Sequence, residues 1–256
     1  MSAGFGTGAA EATAPGNRVV LRVQGLARSF GALRAVDGVD LEVRAGEALG
    51  ILGPNGAGKT TLFNLVSGDL RPDAGRVILD GADITALPPH RRCRLGIGRS
   101  YQIPRPFGGL TVLENLLVAA TFGGGLAVQE AYAWCDEVLR RADLHAKADA
   151  LAGGLRLLDR KRLELARALA SRPKLLLLDE IAGGLTDPEA HELVALIKDV
   201  RSTDLAIVWI EHVVHAIVAA ADRILVLNFG AKVAEGTPSE VMANPTVQAV
   251  YLGVEP

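Results

Sequence analysis

Cysteine and aromatic residues are scarce in this 256-residue chain. The two cysteines, Cys93 and Cys135, stand far apart, and neither belongs to a CxxC pair or a Cys/His cluster. That excludes a disulfide scaffold and a structural zinc site of the usual spacing. Aromatics make up 4% of the chain, which leaves little for the stacking platforms that grip single-stranded nucleic acid. No charge of one sign dominates either, since 27 Lys and Arg against 29 Asp and Glu leave −2. Binding of nucleic acid through net positive charge is therefore not expected, although a local basic patch is compatible with the count. No stretch approaches the ~18 apolar residues of a membrane span. The longest runs, such as Leu205 to Ile210 and Ala216 to Ala221, are core-sized. Met1 to Gly16 has no Lys or Arg and lacks the apolar stretch of a secretory leader. Residues 1–17 read as a disordered tail. The expectation is a chain that stays in the cytoplasm and reaches a membrane only through a partner.

With 49% hydrophobic and 22% charged residues, the rest has the make-up of one large globular domain, or of a domain with a subdomain. Val19 to Val23 is β-rich, and Val39, Leu41 and Val43 alternate with Asp40 and Glu42, so both segments read as strands with one wet face. Ala48 to Leu52, Leu175 to Leu178, Leu205 to Ile210 and Ile224 to Leu227 are short unbroken apolar runs. Such runs fit strands of a parallel sheet buried on both faces, with helices between them. From Thr111 to about Ala148 the pattern is helical, with Val128, Ala131, Cys135, Val138 and Ala142 on one face and Gly123-Gly124-Gly125 as a break before it. A helical subdomain inserted into an α/β core is expected.

Gly53-Pro54-Asn55-Gly56-Ala57-Gly58-Lys59-Thr60 matches GxxxxGK[ST] in full, between a predicted strand and a predicted helix. Glycines let the backbone curl so that several N–H groups meet one phosphate, and the following helix adds its positive end. Lys59 places a cation on the β- and γ-phosphates, and the Thr60 hydroxyl is a Mg²⁺ ligand, with Thr61 beside it. Leu175 to Leu178 then deliver Asp179 and Glu180 to a strand's carboxyl end, where ligands of open α/β sheets bind. Asp179 suits Mg²⁺, and Glu180 suits accepting a proton from an attacking water.

Three further pieces follow in order. Gln102 lies in Ser100-Tyr101-Gln102, Arg167 in Leu163-Glu164-Leu165-Ala166-Arg167-Ala168-Leu169, and His212 in Ile210-Glu211-His212. Singly, such a Gln or His is more often a loop or boundary residue. In this order, with both phosphate motifs, the chain resembles an ATP-binding cassette (ABC) ATPase over residues 18–254. The resemblance implies a P-loop NTPase core with a mainly parallel sheet, an antiparallel β subdomain and a helical subdomain inserted at about 103–159. It implies ATP and Mg²⁺ as ligands. It casts Gln102 as a sensor of the metal and the water, His212 as a γ-phosphate contact, and Phe30 as the aromatic that stacks on adenine. His215 is assigned to a helix surface, and His90, His145 and His191 to solvent.

Gly98 to Phe107, Leu110 to Asn115, Arg162-Leu163-Glu164, Asp222 to Gly230, Glu235 to Pro238, and Asn244-Pro245 through Gly253 narrow the match. They resemble the ATPase subunit of branched-chain amino-acid importers and of relatives that handle urea, amides or small aromatic acids. That likeness implies a second, non-identical ATPase subunit, two permease subunits, a periplasmic or extracellular solute-binding protein and a place on the cytoplasmic face of the membrane. It implies no nucleic acid. It also places the permease contact near Gln102 and the helical subdomain, with the Pro104-Arg105-Pro106-Phe107 stretch either part of it or a rigid loop with one core Phe.

Two segments depart from the family. The signature Leu-Ser-Gly-Gly-Gln is replaced by Leu155-Arg156-Leu157-Leu158-Asp159, which sets an anion where the opposite subunit's γ-phosphate would dock. Thr186 stands where an Asp is common. The altered signature leads to the expectation that one of two paired sites is weak or silent. It also keeps open a regulatory subunit that binds ATP with little hydrolysis. A soluble non-transport ABC ATPase and a non-ABC P-loop kinase are the other rivals. They are disfavoured by the balanced charge and by the order of Gln102, Arg167 and His212.

Overall fold

The protein is described here by a computed structural model over residues 18–252. The tail at 1–17 and Gly253 lie outside the described residues.

In chain order, the elements begin with β1 (Val19–Phe30), β2 (Leu33–Arg44), β3 (Ala48–Leu52), α1 (Lys59–Ser67), β4 (Ala74–Leu79), β5 (Ala82–Asp83), α2 (Pro89–Arg94) and β6 (Ile97–Arg99). The middle carries α3 (Val112–Val118), a π-helical turn at Ala119–Gly123, α4 (Val128–Arg141) and α5 (Leu157–Ala170). Then come β7 (Leu175–Asp179), α6 (Asp187–Asp199), β8 (Ala206–Ile210), α7 (Val214–Ala220), β9 (Arg223–Asn228), β10 (Ala231–Gly236), α8 (Pro238–Ala243) and α9 (Pro245–Leu252).

Six strands form the central sheet in the order β10-β9-β3-β8-β7-β6. All its pairings are parallel except β10 with β9. The unbroken apolar runs follow from this position, because both sheet faces are covered. Ala48 and Leu52 of β3 enter one core with Leu176, Leu178, Ile207, Trp209, Ile224 and Val226. Their neighbours Leu49, Ile51, Leu175, Leu177, Val208 and Leu225 enter the other. Helices α3 to α7 cover the first face. The second is covered by α1 and by an antiparallel sheet in the order β2-β1-β4-β5. In that sheet Val39, Leu41 and Val43 turn inward while Asp40 stays wet, as the alternation requires.

The helical segment begins at Thr111, whose side chain accepts from the Glu114 N–H while Glu114 returns the bond, a capping box. Ala131, Cys135, Val138 and Ala142 are buried as their spacing predicts. Val128 is not. It opens α4 and is 64% exposed, because the apolar face engages the core only one turn later. Strands β4, β6 and β10 carry no pattern strong enough to read beforehand: β6 has three residues, and most of β4 and β10 is incompletely buried.

Candidate functional site

The carboxyl ends of β3, β7 and β8 lie side by side in the central sheet, and three sequence-distant segments leave it there. After β3 the chain turns through Gly53 to Gly58 into α1. Gly58 has φ +99°, and a Cβ there would come within 2.1 Å of the Ala35 carbonyl oxygen, so the loop packs backbone to backbone against β2. Lys59 is 5% exposed, and its ammonium donates to the Gly53 carbonyl at 2.6 Å and the Pro54 carbonyl at 3.0 Å. Burial lowers its pKa, and the negative charges of Glu180 and Asp179 oppose that shift. The loop is one wall of a cleft of about 270 Å³ that also takes in Phe30, Thr60, Thr61, Glu180 and His212. Phe30 is 45% exposed at the end of β1, with the Arg28 guanidinium 5.1 Å from its ring centroid.

Strand β7 delivers Asp179 and Glu180 to the same edge. Burial pushes the Asp179 carboxyl above its usual range, while a hydrogen bond from Arg99 pulls it back. Glu180 adopts φ +46°, an uncommon backbone state for a residue with a side chain, and its N–H donates to the Ile210 carbonyl at 2.9 Å. The turn aims its carboxylate between two of the residues named from the sequence. Gln102 Nε2 donates to Glu180 Oε2, and His212 Nε2 lies 2.5 Å from Glu180 Oε1. Gln102, Glu180 and His212 thus meet, although they follow three different strands. Among the described residues, no group of three or more His, Cys, Asp and Glu side chains forms a cation cage. Oxygen donors in this region include the Thr60 hydroxyl in the cleft lining and the Asp179 carboxylate, whose charge acts on Lys59. These hard ligands suit a Mg²⁺ that draws its other ligands from phosphate and water.

Two buried cations of this site were not singled out by sequence reasoning. Arg99 ends β6 and donates to Asp179 Oδ2 at 2.8 Å, and through its other nitrogen to Asn64, Ser67 and Asp69. Its guanidinium lies 4.9 Å from the Tyr101 ring centroid and 5.9 Å from that of Phe63. Lys161, 2% exposed in α5, donates to the Gln102 carbonyl at 2.6 Å. A signal for Lys161 existed. It shares a helix face with Leu165 and Ala168, where an apolar residue would be expected. Glu211 is also closed to solvent and accepts from the Ala182 N–H at 2.8 Å.

The departures from the family pattern have local explanations. Asp159 does not face outward as an anion. It is 6% exposed and accepts a hydrogen bond from Lys147 at 2.7 Å. The exposed residues at the start of α5 are Arg156, which caps it without a side-chain bond, Leu157 and Arg160. Thr186 caps α6 in a capping box with Glu189. His90, His145, His191 and His215 are exposed; His145 lies 3.0 Å from Asp136, and the rings of His191 and His215 stack.

A second concavity, of about 360 Å³, opens beside β6, where Arg99, Tyr101, Phe107, Phe122 and Glu164 line it. Ile103 and Phe107 are 68% and 48% exposed, so the stretch after Gln102 presents apolar surface rather than filling the core. Arg167 donates to the Arg105 carbonyl at 2.9 Å and to Glu164 at 3.1 Å, and its guanidinium lies over the Phe107 ring.

Residues 36–183 match the ABC transporter family, and residues 231–256 match the branched-chain amino acid ATP-binding cassette transporter family. The high-affinity branched-chain amino acid transport ATP-binding protein BraF of Pseudomonas aeruginosa is 39% identical, over 93% of this chain and 99% of that protein. Its counterpart LivG of Escherichia coli is 38% identical over 91% of this chain and 98% of its own length. The lipopolysaccharide export system ATP-binding protein LptB of Haemophilus influenzae is 37% identical over 91% and 97%. Among solved structures, an ATP-binding cassette of an ABC transporter in its ADP conformation superposes with a TM-score of 0.83. It is 30% identical and covers 92% of this chain and 99% of that one.

Proposed function

Starting from the premise that this chain belongs to the ABC transporter family and is an ATPase whose hydrolysis is coupled to transport, we propose that it powers uptake of branched-chain amino acids or a related small polar solute. It does so with a second, non-identical ATPase subunit, two permease subunits and a solute-binding protein, at the cytoplasmic face of the membrane. No helix among the described residues is long and apolar enough to cross a membrane; in this reading the partners supply the path for the solute. The match of residues 231–256 to the branched-chain amino acid family favours that solute class over the export function named for the Haemophilus relative.

The observation that carries hydrolysis is the Glu180 carboxylate, held between Gln102 and His212 in the cleft of the phosphate loop. In this reading Phe30 stacks on adenine. Gly53, Pro54, Asn55, Gly56, Ala57, Gly58 and Thr61 wrap the phosphates, and Lys59 exchanges its two carbonyl partners for phosphate oxygens. Thr60 and Asp179 would hold Mg²⁺, with Gln102 beside them, and the ion would supply positive charge to the phosphate oxygens. Glu180 accepts the proton of the attacking water, and His212 supports the γ-phosphate. The apolar surface at Ile103 and Phe107 and the groove beside β6 receive the permease.

The test is Mg-ATP binding and hydrolysis by the purified chain and by the assembled complex, with Glu180→Gln as control. The chain alone should bind Mg-ATP with little turnover. The complex should hydrolyse ATP and import labelled leucine into proteoliposomes. Loss of the general base should slow turnover by roughly 10²- to 10⁴-fold. Undiminished turnover by Glu180→Gln in the complex would leave the chain as a regulatory ATP-binding subunit.

A further inference from the structure

The Lys161 ammonium reaches across from α5 to two backbone carbonyls, 2.6 Å from Gln102 O and 3.5 Å from Glu180 O. Burying a cation against neutral carbonyls is costly unless the site is built to receive it. At 2% exposure Lys161 is such a case. Burial lowers its pKa, and the charges of Glu211, Glu164 and Glu180 partly restore it. An ammonium carries three donors and no acceptor, so it can tie several carbonyls at once.

Here the tie closes a ring. Lys161 holds the Gln102 carbonyl, Gln102 Nε2 holds the Glu180 carboxylate, and Lys161 also reaches the Glu180 carbonyl. Three segments meet in that ring: the loop after β6, the turn after β7, and α5. The Gln102 loop otherwise runs along the surface, with Tyr101, Gln102 and Ile103 exposed. Glu180 sits in a strained backbone state that its surroundings must enforce.

We propose that Lys161 is a positioning residue for ATP hydrolysis, fixing the Gln102 loop and Glu180 in register so that the Gln102 amide meets the Glu180 carboxylate. This rests on the reading of Glu180 as the group that activates water. Because Lys161 lies in the first turns of α5, which Arg156 caps, a shift of that helix would move the ammonium and with it the Gln102 carbonyl.

Two variants separate the hydrogen bonds from mere filling of space. Lys161→Met keeps length and apolar volume without donors, and Lys161→Gln restores a neutral N–H donor. Hydrogen–deuterium exchange on the full chain reads the loop through the bonded N–H groups of Ser100 and Phe107 at its two ends. Exchange over residues 100–107 should quicken about tenfold in Lys161→Met, as expected for one lost tether, with the rest of the chain unchanged. In the assembled complex kcat should fall by about 10- to 100-fold, the cost of a small misplacement, while KM for Mg-ATP holds within about twofold. Lys161→Gln should recover part of both effects. Unchanged exchange at residues 100–107, a uniform rise across the chain, or a raised KM with intact kcat would each overturn the proposal. Glu180→Gln run in parallel keeps the two ideas apart. If it alone abolishes turnover while Lys161→Met does not, the catalytic reading stands and the positioning role falls. If Glu180→Gln retains turnover, the catalytic reading falls, and the exchange data still decide whether Lys161 holds the loop.

Discussion

Arg99 donates to Asp179 at 2.8 Å, with the two side chains 8% and 7% exposed. The pair joins the edge strand β6 to the strand that carries the proposed metal ligand. Removing one partner of a buried pair leaves the other charge unsatisfied and costs about 3–5 kcal/mol. Arg99→Met is therefore expected to lower the urea unfolding free energy by about that amount, and Arg99→Met with Asp179→Asn should recover part of the loss. A cost below about 1 kcal/mol for the single variant would mean that the pair is as dispensable as an exposed one.

Two glycines of the phosphate loop should respond differently to the same added methyl group. Gly56 has φ +81° with nothing within 4 Å of a new Cβ, so Gly56→Ala carries only the left-handed backbone penalty of about 1–2 kcal/mol. Gly58 has φ +99° and an Ala35 carbonyl oxygen 2.1 Å from the new atom, which is backbone and cannot swing aside. Gly58→Ala should cost more than about 3 kcal/mol and abolish nucleotide binding, since strain and overpacking add. Urea unfolding and a fluorescent-nucleotide titration read both effects. Equal costs at the two positions would contradict the close approach of the loop to β2.

The residues legible in the sequence are those whose chemistry is local. The phosphate loop is one contiguous pattern, and Asp179 and Glu180 end an apolar run that fits a doubly covered strand. Gln102 and His212 are ambiguous singly and gain meaning from chain order. Arg99 and Lys161 escaped because their partners lie 80 residues away at Asp179 and 59 away at Gln102. Sequence spacing reports a polar residue on an apolar face, but not what it meets. The inward turn of Asp159 escaped for the same reason, since Lys147 belongs to a short turn with no helical period of its own.

Glu211 gives a pH dependence with a definite sign. Burial raises its carboxyl above the ordinary 4.5, although the N–H groups of Ala182 and His212 oppose the shift. Folding therefore takes up a proton at Glu211. Its contribution to stability is full below the ordinary value and is lost as pH rises through the raised one. Glu211→Gln removes that titration while keeping an acceptor for Ala182. The stability of the wild-type chain relative to Glu211→Gln should fall from about pH 4.5 towards neutrality. Urea unfolding at a series of pH values measures the slope; a flat difference would show that Glu211 titrates normally, and a rising one that folding lowers its carboxyl instead.

The start of α5 sets the last prediction. With Asp159 tied to Lys147, the surface offered there is the exposed Arg156, the 44% exposed Leu157 and the exposed Arg160. A backbone N–H can approach a phosphate closely only where no side chain intervenes, and Leu157 and Leu158 stand where the family signature has glycine. The site completed by this face should therefore be the silent one of the pair. Arg156→Ser, Leu157→Gly, Leu158→Gly and Asp159→Gln together restore the signature. Turnover per folded complex should then rise roughly twofold, as two equivalent sites replace one. The two glycines cost helix stability, about 1 kcal/mol each, so the comparison is made well below the unfolding midpoint. Asp159→Gln alone should leave turnover unchanged, because that side chain does not reach the surface. If the fourfold variant folds and hydrolyses ATP no faster, the two sites were never unequal through this segment. If Asp159→Gln alone raises turnover, the anion rather than the leucines was the obstacle.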